Sequence, residues 1–119
     1  MQRELPVMSV MRKPVAIADE LIRACRNELD ALNLCMNLSG LSDESIRDHL
    51  VIDKGHFSRI RKGRGNFPPN KRIALMELCG NRAPAQYEAM RLNCELTDLS
   101  KEAQIRVLEE QLNSLRRAA

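Results

Sequence analysis

The octapeptide GRGNFPPN at residues 63–70 sets the first limit on what this chain can fold into. Two glycines and two consecutive prolines cannot sit inside a helix, because glycine carries the largest backbone entropy cost and proline lacks an amide donor. Ser39-Gly40 and Gly80 punctuate the chain in the same way. Between these breaks apolar residues recur at three- and four-residue steps, the spacing of one helix face, and no stretch alternates as a half-buried strand does. The chain is expected to be all-α, made of short helices without internal repeats.

Pro14 suits the first turn of a helix, where its missing N–H costs nothing. Ile17, Leu21, Cys25, Leu29, Leu32 and Met36 follow at helical spacing, so one long amphipathic helix is expected from Pro14 to about Leu38. Ser42 reads as the N-cap of a short second helix, with Asp43 and Glu44 set against its dipole and Ile46 and Leu50 on its inner face. After a turn at Val51-Ile52, Asp53 caps a third helix that buries Phe57 and Ile60 and stops at Gly63. A fourth is expected over about 70–79 with Ile73, Met76 and Cys79 inward, and Pro84 opens a fifth holding Tyr87 and Met90. Beyond Thr97 the character changes. Ile105, Leu108, Leu112 and Leu115 lie at steps of three, four and three, two heptads of an a/d seam. This seam can pack on the domain's own core or pair with a second copy, and dimerisation is the expectation. Residues 1–13 are expected to be a mobile arm, 14–96 the compact domain, and 97–119 a C-terminal oligomerisation helix.

With 119 residues, 44% of them hydrophobic and 29% charged, the chain is long enough for one globular core. No apolar run approaches the roughly 20 residues of a membrane span. The start, MQRELPVMSVMRKP, has no apolar block or small-residue cleavage site, which leads to an expectation of a cytoplasmic protein. Cys25, Cys35, Cys79 and Cys94 form no CxxC pair, and His49 and His56 sit near none of them. Small buried thiols kept reduced are expected, with no metal and no cofactor. No phosphate-cradling glycine loop and no oriented nucleophile–base pair is present, so catalysis is not expected.

The net charge of +3 hides an uneven distribution. From Lys54 to Met76 the chain carries Lys54, Arg59, Arg61, Lys62, Arg64, Lys71 and Arg72 and no acid at all, which leaves the remainder net acidic. A one-sided field of this kind points to a polyanion. Two short helices joined by a three-residue turn, the second basic on one side and apolar on the other, describe a helix-turn-helix. An eight-residue helix is about 12 Å long, and the major groove of duplex DNA, about 12 Å wide, admits it and shows it base edges. Readers of single strands need aromatic stacking platforms, and this chain has only Phe57, Phe67 and Tyr87.

Residues 41–69, LSDESIRDHLVIDKGHFSRIRKGRGNFPP, resemble the core of the lambda-repressor-like family, which includes the phage Cro and CI repressors and the Xre-type regulators. The similarity runs over about 41–80. Three positions depart from the family pattern: Arg47 where a small residue is usual, Val51 where a glycine opens the turn, and Asp43 where many members place a phosphate-binding glutamine. A left-handed turn is costly for valine, so the connection between the two helices is expected to be built differently here.

The resemblance implies a five-helix domain and a sequence-specific regulator of phage or prophage type, acting as a dimeric repressor on duplex DNA. By position Lys54, Ser58 and Arg59 match the family's base-reading residues, with Gly55 and Lys62 adjoining them. Arg59 is the first candidate for a bidentate guanine contact, with a phosphate contact as the alternative. Arg61, Arg64, Asn70, Lys71 and Arg72 lie where phosphates are gripped, and Arg12 and Lys13 are expected in a free tail, with an arm reaching around the duplex as the alternative. The competing readings are an antitoxin-type protein, which adds a protein partner, and an architectural protein that binds DNA without sequence preference.

Overall fold

A computed structural model describes residues 13–118. The chain is mostly helical. Among the described residues seven α-helices are formed: α1 (Asp19–Arg23), α2 (Glu28–Leu38), α3 (Asp43–Leu50), α4 (Lys54–Arg61), α5 (Arg72–Cys79), α6 (Ala83–Arg91) and α7 (Lys101–Ala118), with a 3-10 turn at Pro69–Lys71. No strand is present among the described residues, only one isolated bridge between Val15 and Asn81. Of the N-terminal arm expected over 1–13, all but Lys13 lies outside the described residues.

The single long helix expected from Pro14 to Leu38 is two helices and an extended lead-in. Residues 14–18 take their hydrogen bonds from elsewhere: Val15 donates to Gly80 O (3.1 Å) and accepts from Arg82 N (3.1 Å). The Gln86 amide accepts from Ile17 N (2.8 Å) and donates to Ile17 O (2.9 Å). The helix breaks again at Asn27, whose side chain accepts from Asp30 N while Asp30 accepts from Arg26 N, both at 2.9 Å. This mutual capping starts α2 anew and shifts the register, so Ile22 is buried and Leu21 exposed.

Helix α3 begins on the expected Ser42 cap. Its end overturns the expectation for the turn. Val51 adopts the left-handed conformation (φ 56°, ψ 54°), with Ile52 N donating to Arg47 O and Val51 N to Asp48 O. These two bonds are a Schellman motif, which satisfies orphaned carbonyls. Burial of Ile52 in the core offsets the cost of a β-branched residue there. Asp53 then caps α4 by accepting from Gly55 N (3.0 Å) and His56 N (3.2 Å). Gly63 (φ 80°) closes α4 with the same motif, Arg64 N donating to Arg59 O and Gly63 N to Ile60 O.

The core gathers Leu32, Cys35, Met36, Ile46, Leu50, Phe57, Ile60, Leu75, Leu78 and Tyr87, with α2 packed on α5 and α6 and α3 packed on α4 and α5. In α5 the inner face is Leu75, Met76, Leu78 and Cys79; Ile73, expected inward, is exposed because the helix begins at Arg72, after the 3-10 turn, and turns that position outward. The buried Asn81 ties α2 to the α5–α6 corner, donating to Cys35 O (3.1 Å) and accepting from Ala83 N (3.2 Å). All four cysteines are free, and Cys94 is exposed rather than buried. Hydrogen bonding to Cys79 and burial push the Cys35 thiol far above the ordinary thiol range. No helix among the described residues is long and apolar enough to cross a membrane. Helix α7 buries nothing; Ile105, Leu108, Leu112 and Leu115 are exposed, so the seam does not pack on the chain's own core.

Candidate functional site

The candidate surface is the outer side of α4 and the loop after it. Phe57 and Ile60, on one side of α4, are 2% and 0% exposed. Full burial of two such side chains contributes roughly 1.5–3 kcal/mol each, enough to hold a short helix at a fixed angle. Lys54, Gly55, Ser58, Arg59 and Lys62 are all exposed on the other sides, and Arg64 and Asn70 are exposed in the following loop and turn. The Arg59 guanidinium folds back along the helix: a Cβ on Gly55 would lie 3.6 Å from its Nη1 and 3.3 Å from the Asp53 carboxylate. Gly55 thus leaves open backbone between an arginine and the cap.

The seven cations of the acid-free stretch divide into two groups. No ion pair among the described residues involves Lys54, Arg59, Lys62 or Arg64. The other three, expected as phosphate contacts, are engaged inside the chain. Arg61 donates to Asn33 Oδ1 (2.6 Å) and Asn37 Oδ1 (2.8 Å) and pairs with Asp43 (3.2 Å), which fastens α4 to α2 and to the start of α3. The Lys71 ammonium donates to Leu50 O and covers the C-terminal end of α3. Arg72 pairs with Glu28 (3.3 Å) and Glu88 (3.7 Å). Each is half-buried, so reaching a phosphate would mean giving up these partners. The pairing also offsets the negative charge of Asp43, the residue whose acidity departs from the family pattern.

Three residues outside the sequence expectation also shape the site. Gly65 lets the loop close over the end of α4, since a Cβ there would sit 3.3 Å from Arg59 Cβ and 3.5 Å from Ile60 N; the GRG spacing was the available signal. Asn33 and Asn37 anchor Arg61, and nothing in their sequence surroundings points to that. Elsewhere, a groove of about 780 Å³ lies against Ile17, Ile22, Arg82, Gln86 and Met90, and no residue of α3 or α4 lines it. Among the described residues no cluster of His, Cys, Asp or Glu is placed to hold a metal ion. No family model, curated protein or solved structure matches the chain.

Proposed function

We propose that this chain is a sequence-specific regulator that binds double-stranded DNA through a helix-turn-helix of the lambda-repressor-like kind, formed by α3, the turn at 51–53 and α4. On that reading it is a non-catalytic, phage- or prophage-type repressor that occupies a two-fold operator as a homodimer. One observation carries the proposal: a rod about 12 Å long, seated by Phe57 and Ile60, offers Lys54, Ser58, Arg59 and Lys62 to solvent with no acid interleaved. Those dimensions and that charge suit a major groove. Arg59 is assigned the guanine contact, Lys54 and Ser58 the neighbouring base edges, and Lys62, Arg64 and the Asn70 amide the flanking phosphates.

The test is selection of duplexes from a random pool by the full chain. A recovered consensus that survives excess random duplex supports specific binding. Arg59→Ala is expected to reduce preference for the consensus by about 10- to 100-fold per half-site while sparing weak binding, as loss of one bidentate pair does. Arg64→Ala is expected to weaken all sequences alike and lower the salt slope by about two, one phosphate contact in each subunit of the dimer. If no consensus emerges and random duplex competes fully, the protein is architectural; if no duplex is bound, the proposal fails. A second reading, a DNA-binding protein that also holds a protein partner, draws on the exposed apolar seam of α7.

A further inference from the structure

We infer that the α7 seam is covered by α7 of a second copy running antiparallel to it, an inference that rests on the homodimer proposed above and gives it an orientation. Ile105, Leu108, Leu112 and Leu115 are 55%, 63%, 48% and 69% exposed along one stripe of an 18-residue helix. A lone helix of that length is marginal in water, and a continuous apolar stripe marks an interface. The chain's own body does not supply the cover. Ala103, the one partly buried residue of α7, is on the side away from the stripe.

Charge decides the occupant and its direction. With Ile105 and Leu112 at a and Leu108 and Leu115 at d, the e positions are Glu102, Glu109 and Arg116, and the g positions are Gln104, Gln111 and Ala118. In a parallel pair e faces g, so every e charge meets a neutral side chain. In an antiparallel pair e faces e. Glu102 then meets the partner's Arg116, and symmetry repeats the pair at the other end. Gln111 meets the partner's Gln111, while Glu109 meets its own copy at the two-fold, with Arg106 one turn away to moderate it. Two attractions against one repulsion favour this arrangement, and so do opposed helix dipoles. Ile105 packs on the partner's Leu115, and Leu108 on the partner's Leu112. The pairing sets the two bodies at opposite ends of a rod about 27 Å long.

Disulfide trapping tests the direction. In a Cys25→Ser/Cys94→Ser background, chains of different size carrying Ile105→Cys or Leu115→Cys are mixed and oxidised. The expected product is the mixed disulfide, because an antiparallel pair holds the two 115 positions about 15 Å apart, beyond the 4.4–6.8 Å Cα reach of a disulfide. A disulfide between two Leu115→Cys chains, or none at either position, overturns the inference. Charge exchange keeps the seam intact: Glu102→Arg is expected to weaken self-association about five- to tenfold, and adding Arg116→Glu to the same chain to restore it. Failure of the second change to restore association also overturns it. Both measurements are made without DNA, the trapping by non-reducing electrophoresis and the self-association by sedimentation, and Arg59→Ala should leave them unchanged, so this inference and the DNA-binding proposal fail separately.

Discussion

Val51 and Gly63 occupy the same backbone position at the ends of successive helices, left-handed in both cases, with φ of 56° and 80°. Only one of them is the residue that conformation favours. A β-branched side chain there costs roughly 1–2 kcal/mol, of which glycine's greater freedom in the unfolded chain returns part. Val51 is 80% exposed, so its side chain contributes little packing to lose. Val51→Gly is therefore expected to stabilise the fold by about 0.5–1 kcal/mol, read as a rise of a few degrees in Tm. Gly63→Ala should do the reverse, losing about 1–2 kcal/mol, since its Cβ would also lie 3.0 Å from Leu29 Cδ2. A neutral Val51→Gly would mean that the valine contributes something at the turn that its exposure hides. The stop at Gly63 was legible because glycine itself is the signal. The turn at Val51-Ile52 was legible too, but its left-handed conformation was not, because the burial of Ile52 in the core that offsets the strain is a tertiary contact the valine does not signal.

Among the elements, α4 illustrates how one helix separates holding from reading. Arg61 carries charge-assisted hydrogen bonds to Asn33 and Asn37 and the pair with Asp43, so Arg61→Ala is expected to cost about 2 kcal/mol in denaturant unfolding. Arg59→Ala, which removes no such partner, should stay within about 0.5 kcal/mol. The two arginines are two positions apart and chemically identical, so only the fold could sort them. The break before α2 is a different kind of failure. Asn27 and Asp30 have the spacing of a cap, yet the apolar three–four rhythm runs across them unbroken and masks it. That cap also titrates: the Arg26 backbone N–H holds the Asp30 carboxyl below its ordinary value of 3.8, and a hydrogen bond from Arg82 does the same for Asp98. Because folding depresses both values, their contribution is fully present above about pH 4 and is lost as pH falls through the lowered values. Asp30→Asn should flatten the stability profile below pH 4 and leave its slope above pH 5 unchanged.

For the whole molecule, the division of the basic stretch into free and engaged cations becomes a number that binding experiments read. Counterion release makes log K fall with log salt at about −0.9 per phosphate neutralised on duplex DNA. If Lys62 and Arg64 each meet one phosphate while Lys54 and Arg59 meet bases, a dimer neutralises about four phosphates and the slope is about −4. Were Arg61, Lys71 and Arg72 to contact the backbone as well, the slope would approach about −9. These three are tied to Asn33, Asn37 and Asp43, to Leu50 O, and to Glu28 and Glu88, and breaking such partly buried contacts costs more than one phosphate contact returns. The shallower slope is therefore expected in a titration of the full chain on its selected duplex between about 50 and 200 mM salt. A slope steeper than about −7 would mean that the ties at α2, α3 and α6 open on the DNA, and that α4 is not held by the free protein in the pose in which it binds.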